Sequence, residues 1–524
     1  MARVTLEVQQ VELATSSGGT AGRAYGGSAL FVALVVLAWS AIAWTALRPH
    51  EIVTDWNGWR QTDTQTIALK FTQDGSSILR PQIRWGGDGP GYVETEFQLY
   101  TKFVSLLMLV FGRAEWVGQL VSLLAIAATA GVIFVHLSRR YHPAAVAFGV
   151  ITFLATRTSP HLATVVMPDA LALLAYAAAW MFFSQYARLG HRRDLVMFGI
   201  VGTIAMLTKP TTAHIGISSF LLLLMSHRDR LKNYGIWLTW CGMVAVVAAY
   251  LVHANHLYAE YGNTFGLLAG EDRKTPRLHH LLMSQVYLGA IRNGVGWGLG
   301  HVAALALLVQ AVRRRIDSEQ VALAVGNAVI VLIALRYMSQ DAGNYYFAPA
   351  GVLAACVVAS LADDLVVARK TWRYAALAAL ALLLTVQSYR NMTLRYVYAH
   401  FNDVEVSNVV NAGRELDRLT EPDDLVIVRS VNEAYDVFWQ SGRNYHEPRI
   451  FYMTSTRGWT IGREQADIAL LADATQRGAR FFVDPLPEGN PEVDAWLRTA
   501  GEIVWSQQGG GRIWRLRPVH PRAS

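Results

Sequence analysis

Cysteine is nearly absent: the 524 residues contain two, Cys241 and Cys356, and both sit inside apolar runs. That excludes a disulfide framework and a thiolate metal centre, and leaves both as buried apolar fillers. Charge is also scarce, at 16% of residues against 53% hydrophobic, with a mean hydropathy of +0.25, which excludes an ordinary soluble globular chain. The net charge of +7 does not indicate nucleic acid, because the cations fall in short clusters between apolar runs, as the positive-inside rule describes for inner loops. Internal repeats, low-complexity tracts and signs of broken helices are lacking too.

What is present is a series of apolar spans. The first, about Ser28 to Leu47, follows a polar leader whose cations are Arg3 and Arg23, and no small-residue cleavage pattern fits its end, so it reads as an uncleaved signal anchor. Ten more follow at about 117–137, 143–158, 168–187, 195–209, 212–226, 233–252, 294–312, 320–338, 345–362 and 374–388. Together they predict a polytopic α-helical membrane protein of about 11 transmembrane helices. Charge fixes the parity if the apolar stretch Phe97 to Phe111 lies in the interface and does not cross. Arg139/Arg140, Arg188/Arg192/Arg193, Arg228/Arg230/Lys232, Arg313/Arg314/Arg315 and Arg369/Lys370/Arg373 then all face the cytoplasm, while the opposing short loops carry Arg157, Lys209 and Arg336.

This parity predicts a cytoplasmic tail over 1–27 and a transmembrane domain over 28–389 with outer loops 48–116 and 253–293. A soluble periplasmic α/β domain is expected over 390–524. Within it the pattern predicts helices near Glu405–Leu419 and Glu464–Arg477, strands at Leu425–Arg429, Ile450–Met453 and the FFVD run, then two late strands around a hairpin turn at the GGG of 509–511. The N-terminus is cytoplasmic in this scheme, and the compartment is a bacterial inner membrane.

The first outer loop draws attention because it is long and holds Asp55, Asp63, Asp74, Asp88, Glu94 and Glu96 among arginines and tryptophans. Five features occur in order: Trp59-Arg60-Gln61-Thr62-Asp63 in that loop, GDGPGYVETEF at 87–97, MPDALAL at 167–173, LTKP at 207–210 and NYYFAP at 344–349. In these the chain resembles the C-type (GT-C) membrane glycosyltransferases, in the bacterial branch related to protein O-mannosyltransferases and to the aminoarabinose transferase that modifies lipid A. The similarity covers roughly residues 28–390.

The resemblance implies an inverting transfer of a sugar from a polyprenyl-phosphate donor to a hydroxyl of a glycan, lipid or protein acceptor, at the membrane and without nucleic acid. Such a transfer needs a carboxylate base, cations or a metal at the leaving phosphate, and a lipid groove. Asp63, at the start of a predicted helix with Arg60 one turn before it, is the first candidate base and Asp55 the second; a mere capping role is the structural alternative for Asp63. Family members carry an Asp-Glu pair where Arg60 and Gln61 align here. The lipid A transferases have Glu-Lys-Pro where this chain reads Glu96-Phe97-Gln98, so phosphate contact falls to Arg60, Arg84, Lys102 or Lys209.

Glu94, Glu96, Asp169, Tyr345 and Tyr346 are expected at the substrate cavity, with an Asp169–Lys209 ion pair as the structural alternative for that residue pair. No cofactor is required by the motifs; a divalent metal would draw on Glu96, His253 and His256, although their spacing matches no zinc motif. Two other readings stay open: a transporter or flippase for lipid-linked sugar, and a ligase or polymerase that uses a polyprenyl-diphosphate carrier.

Overall fold

A computed structural model describes residues 20–73, 75–270, 281–334, 338, 345–368, 370–400 and 403–518. Arg3, Asp74, Arg336, Asn344 and Arg369, named above, and residues 271–280 of the second outer loop lie outside the described residues. Over the described residues the apolar runs are helical, the one at 294–312 in two pieces, because a backbone that leaves water must satisfy its own hydrogen bonds. Among the described residues, five helices are long and apolar enough to cross a membrane: Gly26–Leu47, Glu115–Ser138, Asp169–Leu189, Tyr234–Tyr261 and Ala350–Val367. Others are shorter, such as Pro143–Leu154 and Ser318–Leu332, so the count of eleven crossings is not settled by length.

One expectation fails outright. The run predicted over 294–312 is broken: a stretch through Leu299 and the His301–Val312 helix meet at 102°, with Gly300 at φ +78 as the hinge. No proline marks this site, and the bend uses the left-handed conformation glycine permits.

The cation-bearing turns lie together at one end of the bundle. Arg139 donates to Gln185, Arg140 to Asp317, and Arg315 pairs with Asp364, joining turns far apart in sequence. At the other end, the helix Leu99–Phe111 buries Tyr100, Val104 and Met108 inward, while Phe103, Leu109, Val110 and Phe111 are exposed. A helix apolar on both its packed and its open face suits the edge of a bilayer.

In the C-terminal region β1 (Leu425–Arg429), β2 (Tyr435–Asp436), β3 (Ser441–Gly442), β4 (Arg457–Ile461), β5 (Phe481–Asp484), β6 (Gly501–Ser506) and β7 (Arg512–Leu516) follow in chain order, with β2 and β3 paired antiparallel in a two-stranded sheet of their own. The main sheet runs β4-β1-β5-β7-β6, with β1 parallel to β4 and β5 and the late pairs antiparallel. The predicted strand at Ile450–Met453 is instead part of a helix, Pro448–Thr454, opened by proline at its first position. The boundary placed at 390 falls within the helix Trp372–Ala399.

That region does not stand apart. Its Val409, Val428, Phe451 and Val483 share one core with Ile67, Phe71, Ile83, Trp85 and Val93 of the first loop and Phe265 of the second. The GDGPG run is the docking surface: Gly87 donates its N–H to the Gly458 carbonyl at 2.6 Å, and a Cβ at Gly87 would meet the Trp459 indole at 2.9 Å. Polar ties repeat the pattern, since Glu115 accepts from the Ile52 N–H and from the Tyr452 hydroxyl, each at 2.9 Å.

The deepest tie is Asp55 with Arg395, a 2.6 Å ion pair whose side chains are 0% and 1% exposed. It joins the first loop to the far end of the last membrane helix. Removing one partner strands a buried charge, so Arg395→Ala should cost about 3–5 kcal/mol, while an apolar replacement of both partners should recover much of the loss. Thermal unfolding of the detergent-solubilised chain, compared for Arg395→Ala, Asp55→Ala and the double variant, measures this.

Candidate active site

Four charged residues from four segments meet under the shared core. Arg60 comes from the helix Gly58–Gln73, Glu96 from a bend in the irregular segment that follows the GDGPG run, Asp169 from the first turn of Asp169–Leu189, and Lys209 from the end of Arg192–Thr208. Arg60 Nη2 donates to both Glu96 oxygens at 3.0 Å, and Lys209 Nζ lies 3.2 Å from Glu96 Oε1 and 3.3 Å from Asp169 Oδ1. Thr95 Oγ1 completes the cradle with a 2.8 Å bond to Glu96. All four side chains are buried, which is tolerable because each charge faces an opposite one.

Aromatic rings line the cations. Lys209 Nζ stands 4.9 Å from the Tyr346 ring centroid and 5.3 Å from that of Tyr345, and the Arg60 guanidinium lies over Phe265 at 4.8 Å. Since Nη2 makes both bonds to Glu96, Arg60 Nε and Nη1 have no partner among the described residues.

Asp63 lies one turn along the same helix as Arg60. The helix begins at Gly58, so Asp63 is interior and does not cap it. Its Oδ1 accepts a 2.8 Å bond from Trp85 Nε1, and the residue is 2% exposed. Burial raises its pKa from 3.8 to about 7, against the opposing effects of the Trp85 bond and the Arg60 charge.

Other sequence candidates are placed elsewhere. Asp55 is consumed by Arg395 and by the Asn57 N–H, which leaves no free oxygen for base chemistry. Arg84 reaches the Ser455 carbonyl and Asp423, and so fastens the C-terminal domain. Lys102 lies 5.0 Å from the Phe71 ring centroid, half-buried. Glu94 accepts from Leu268 N at 2.8 Å and from Thr264, which anchors the second loop.

The metal candidates do not assemble. Both Glu96 oxygens are held by two cations and a threonine, His253 bonds the Leu79 carbonyl, and His256 is exposed, so this set does not fit a divalent ion. Among the described residues, His136, Glu319 and Cys356 gather instead at the cation-rich end, where Arg140 and Trp180 already engage Glu319.

Several residues near the site escaped sequence reading. Trp85 and Glu447 adjoin Asp63, with His446 stacked on Trp85, and Arg157, His161, Trp297 and Tyr398 form a cluster beside Asn57. Arg395 had a signal, being an arginine adjoining the apolar stretch of the last span. The others had none short of the three-dimensional contacts.

The family profile for dolichyl-phosphate-mannose-protein mannosyltransferases matches residues 99–253. No curated protein sequence matches the chain. Among solved structures, ArnT from Cupriavidus metallidurans in the apo state superposes with a TM-score of 0.58 at 13% identity, covering 94% of this chain and 98% of that one. The same protein bound to undecaprenyl phosphate gives 0.57 at 12% identity, covering 93% and 98%. An oligosaccharyltransferase from Archaeoglobus fulgidus, tethered to an acceptor peptide, gives 0.52 at 11% identity over 94% of this chain and 74% of that one. The chain therefore has the fold of the GT-C membrane glycosyltransferases, as the ordered motifs imply.

Asp63 also makes a stability prediction. Between pH 3.8 and about 7 the folded chain holds a proton that the unfolded chain has released, so this residue's contribution falls as pH rises through that window. Asp63→Asn should raise the melting temperature more at pH 8 than at pH 5, the two units between pH 5 and about 7 corresponding to up to roughly 2.7 kcal/mol of stability. Equal effects at both values would contradict the raised pKa.

Proposed function

We propose that the chain transfers a sugar from a polyprenyl-phosphate donor to an acceptor hydroxyl, with inversion, and that Asp63 is the general base. The observation that carries this reading is a buried carboxyl, oriented by the Trp85 indole N–H, one helical turn from an arginine held by Glu96. Positions three apart on a helix stand about 5–6 Å apart, which sets a base beside a phosphate contact. In the step, the acceptor oxygen attacks the anomeric carbon as the bond to the phosphate oxygen breaks. Asp63 takes the hydroxyl proton, and the polyprenyl phosphate leaves with the bonding electrons toward Arg60 and Lys209. Tyr345 and Tyr346 fix the Lys209 ammonium, and Glu96 with Asp169 holds both cations in place.

The fold of ArnT, solved with undecaprenyl phosphate, supports a donor of this class. The sugar and the acceptor are not specified by these contacts. With the cation-rich turns in the cytoplasm, the site and the C-terminal domain face the outer side of a bacterial inner membrane.

Purified protein incubated with a panel of radiolabelled polyprenyl-phosphate sugars and an envelope acceptor fraction tests this. Wild type should release free polyprenyl phosphate, with kcat/KM rising with pH through about 7 as Asp63 loses its proton. Asp63→Asn should lower the rate by about 10²–10⁴-fold. Translocation of donor across vesicles without release of phosphate would favour the transporter reading, for which the bend at Gly300 is the one structural argument.

A further inference from the structure

The C-terminal domain touches the Asp63 carboxylate through two rings. Trp85 donates its indole N–H to Asp63 Oδ1 at 2.8 Å, and the opposite resource of that indole, its face, is covered by His446 with ring centroids 3.5 Å apart and planes 12° from parallel. Phe265 of the second loop closes the indole edge-on at 5.7 Å. Trp85 is thus clamped between the second loop and the C-terminal domain, with 5% of its surface exposed. His446 Nδ1 is enclosed and has no hydrogen-bond partner among the described residues, so the stack on Trp85 is the contact that orients this ring there. The next residue, Glu447, is wholly buried, forms a twofold pair with Arg449 at 2.7 Å, and its charge bears on Asp63.

We propose that the C-terminal domain is a working part of the transfer site, with His446 as a positioning residue that fixes the Trp85 indole and thereby the orientation and proton affinity of Asp63. The consequence for turnover rests on Asp63 being the base. The geometry requires a flat ring at 446 and an N–H at 85. An indole free to rotate about its side-chain torsions by a few tens of degrees would lose the bond to Oδ1, because hydrogen bonds weaken steeply off line. The charged and titratable groups facing Asp63 are Arg60 on its own helix and Glu447, neutralised by Arg449, from the C-terminal domain; Lys102, from the neighbouring helix, sits against Phe71 farther along.

The test reads Asp63 directly in the full-length protein. Infrared difference spectra recorded against pH show a protonated-carboxyl band that is missing in Asp63→Asn, and its midpoint is followed in variants. A hydrogen bond to the charged form favours that form, so Trp85→Phe should raise the midpoint by about one pH unit. His446→Ala should raise it by roughly half as much or more, whereas His446→Phe, which keeps a flat ring on the indole, should leave it within about 0.2 unit. In the turnover assay the acid limb of the kcat/KM profile should move by the same amounts.

A His446→Ala protein with a lowered melting temperature but an unmoved midpoint would overturn the proposal and leave His446 as packing. If the midpoints move as stated while Asp63→Asn retains full turnover, the positioning stands and the base assignment falls. If Asp63→Asn is inactive and the midpoint ignores both His446 variants, the base stands and the role of the domain falls.

Discussion

Glu96 is the constraint on which the site depends. Two cations buried at the edge of a membrane are costly, and the cost is met by one carboxylate that touches both, with Asp169 closing the circuit at Lys209. Because Glu96 lies on the irregular segment after the GDGPG run, its place depends in turn on that run being docked. Gly91, at φ +71, lets the chain fold back so tightly that a Cβ there would lie 2.2 Å from the Ile83 carbonyl oxygen. The turn that aims Glu96 into the bundle also presents Asp88 and Gly87 to the C-terminal domain, where Arg477 and Gly458 receive them.

The C-terminal domain is consequently not an appendage. Its hydrophobic core runs without a break into the two loops that carry Trp85 and Phe265. A small sheet carried on a membrane bundle by its own linker would tolerate drift; one that shares its core with the loops bearing Asp63 and Glu96 cannot move without moving them. The Trp372–Ala399 helix reinforces this, since it continues past the membrane stretch and inserts Arg395 against Asp55.

Hydropathy made the bundle legible because the apolar runs stand out against the charged turns between them, and LVIVR at 425–429 read correctly as a strand for its β-branched run between turn signals. IFYM at 450–453 has the same character yet is helical, since four apolar residues are too few to separate the two periods and Pro448 favours a helix start. Arg457–Ile461 went unread, as its glycine and arginine dilute the strand pattern although the segment pairs with β1 along its full length. For the site, the residue types were readable and the pairings were not. Arg60 and Glu96 lie 36 positions apart, and Lys209 is 113 from Glu96, so no local spacing records that they touch. Arg84 illustrates the converse: an arginine in an acidic loop suggests phosphate, yet its partners are Asp423 and Ser455, more than 300 positions away.

Burial explains why Asp63 can rest protonated, and the balance of charges beside it shows how it still serves as a base in the proposed reaction. Arg60 and Lys209 are matched by Glu96 and Asp169, so the network is neutral before any donor binds and an ionised Asp63 would be in excess. A sugar phosphodiester brings one negative charge, which raises the proton affinity of the adjacent carboxylate further and makes it the stronger acceptor at the moment of attack. As the glycosidic bond breaks, the departing phosphate gains charge, toward −1.5 to −2 for a monoester. The same two cations then meet a larger opposite charge than they met in the ground state. Stabilisation that grows along the reaction is the form of binding that lowers a barrier, and the spare donors of Arg60 are placed to supply it.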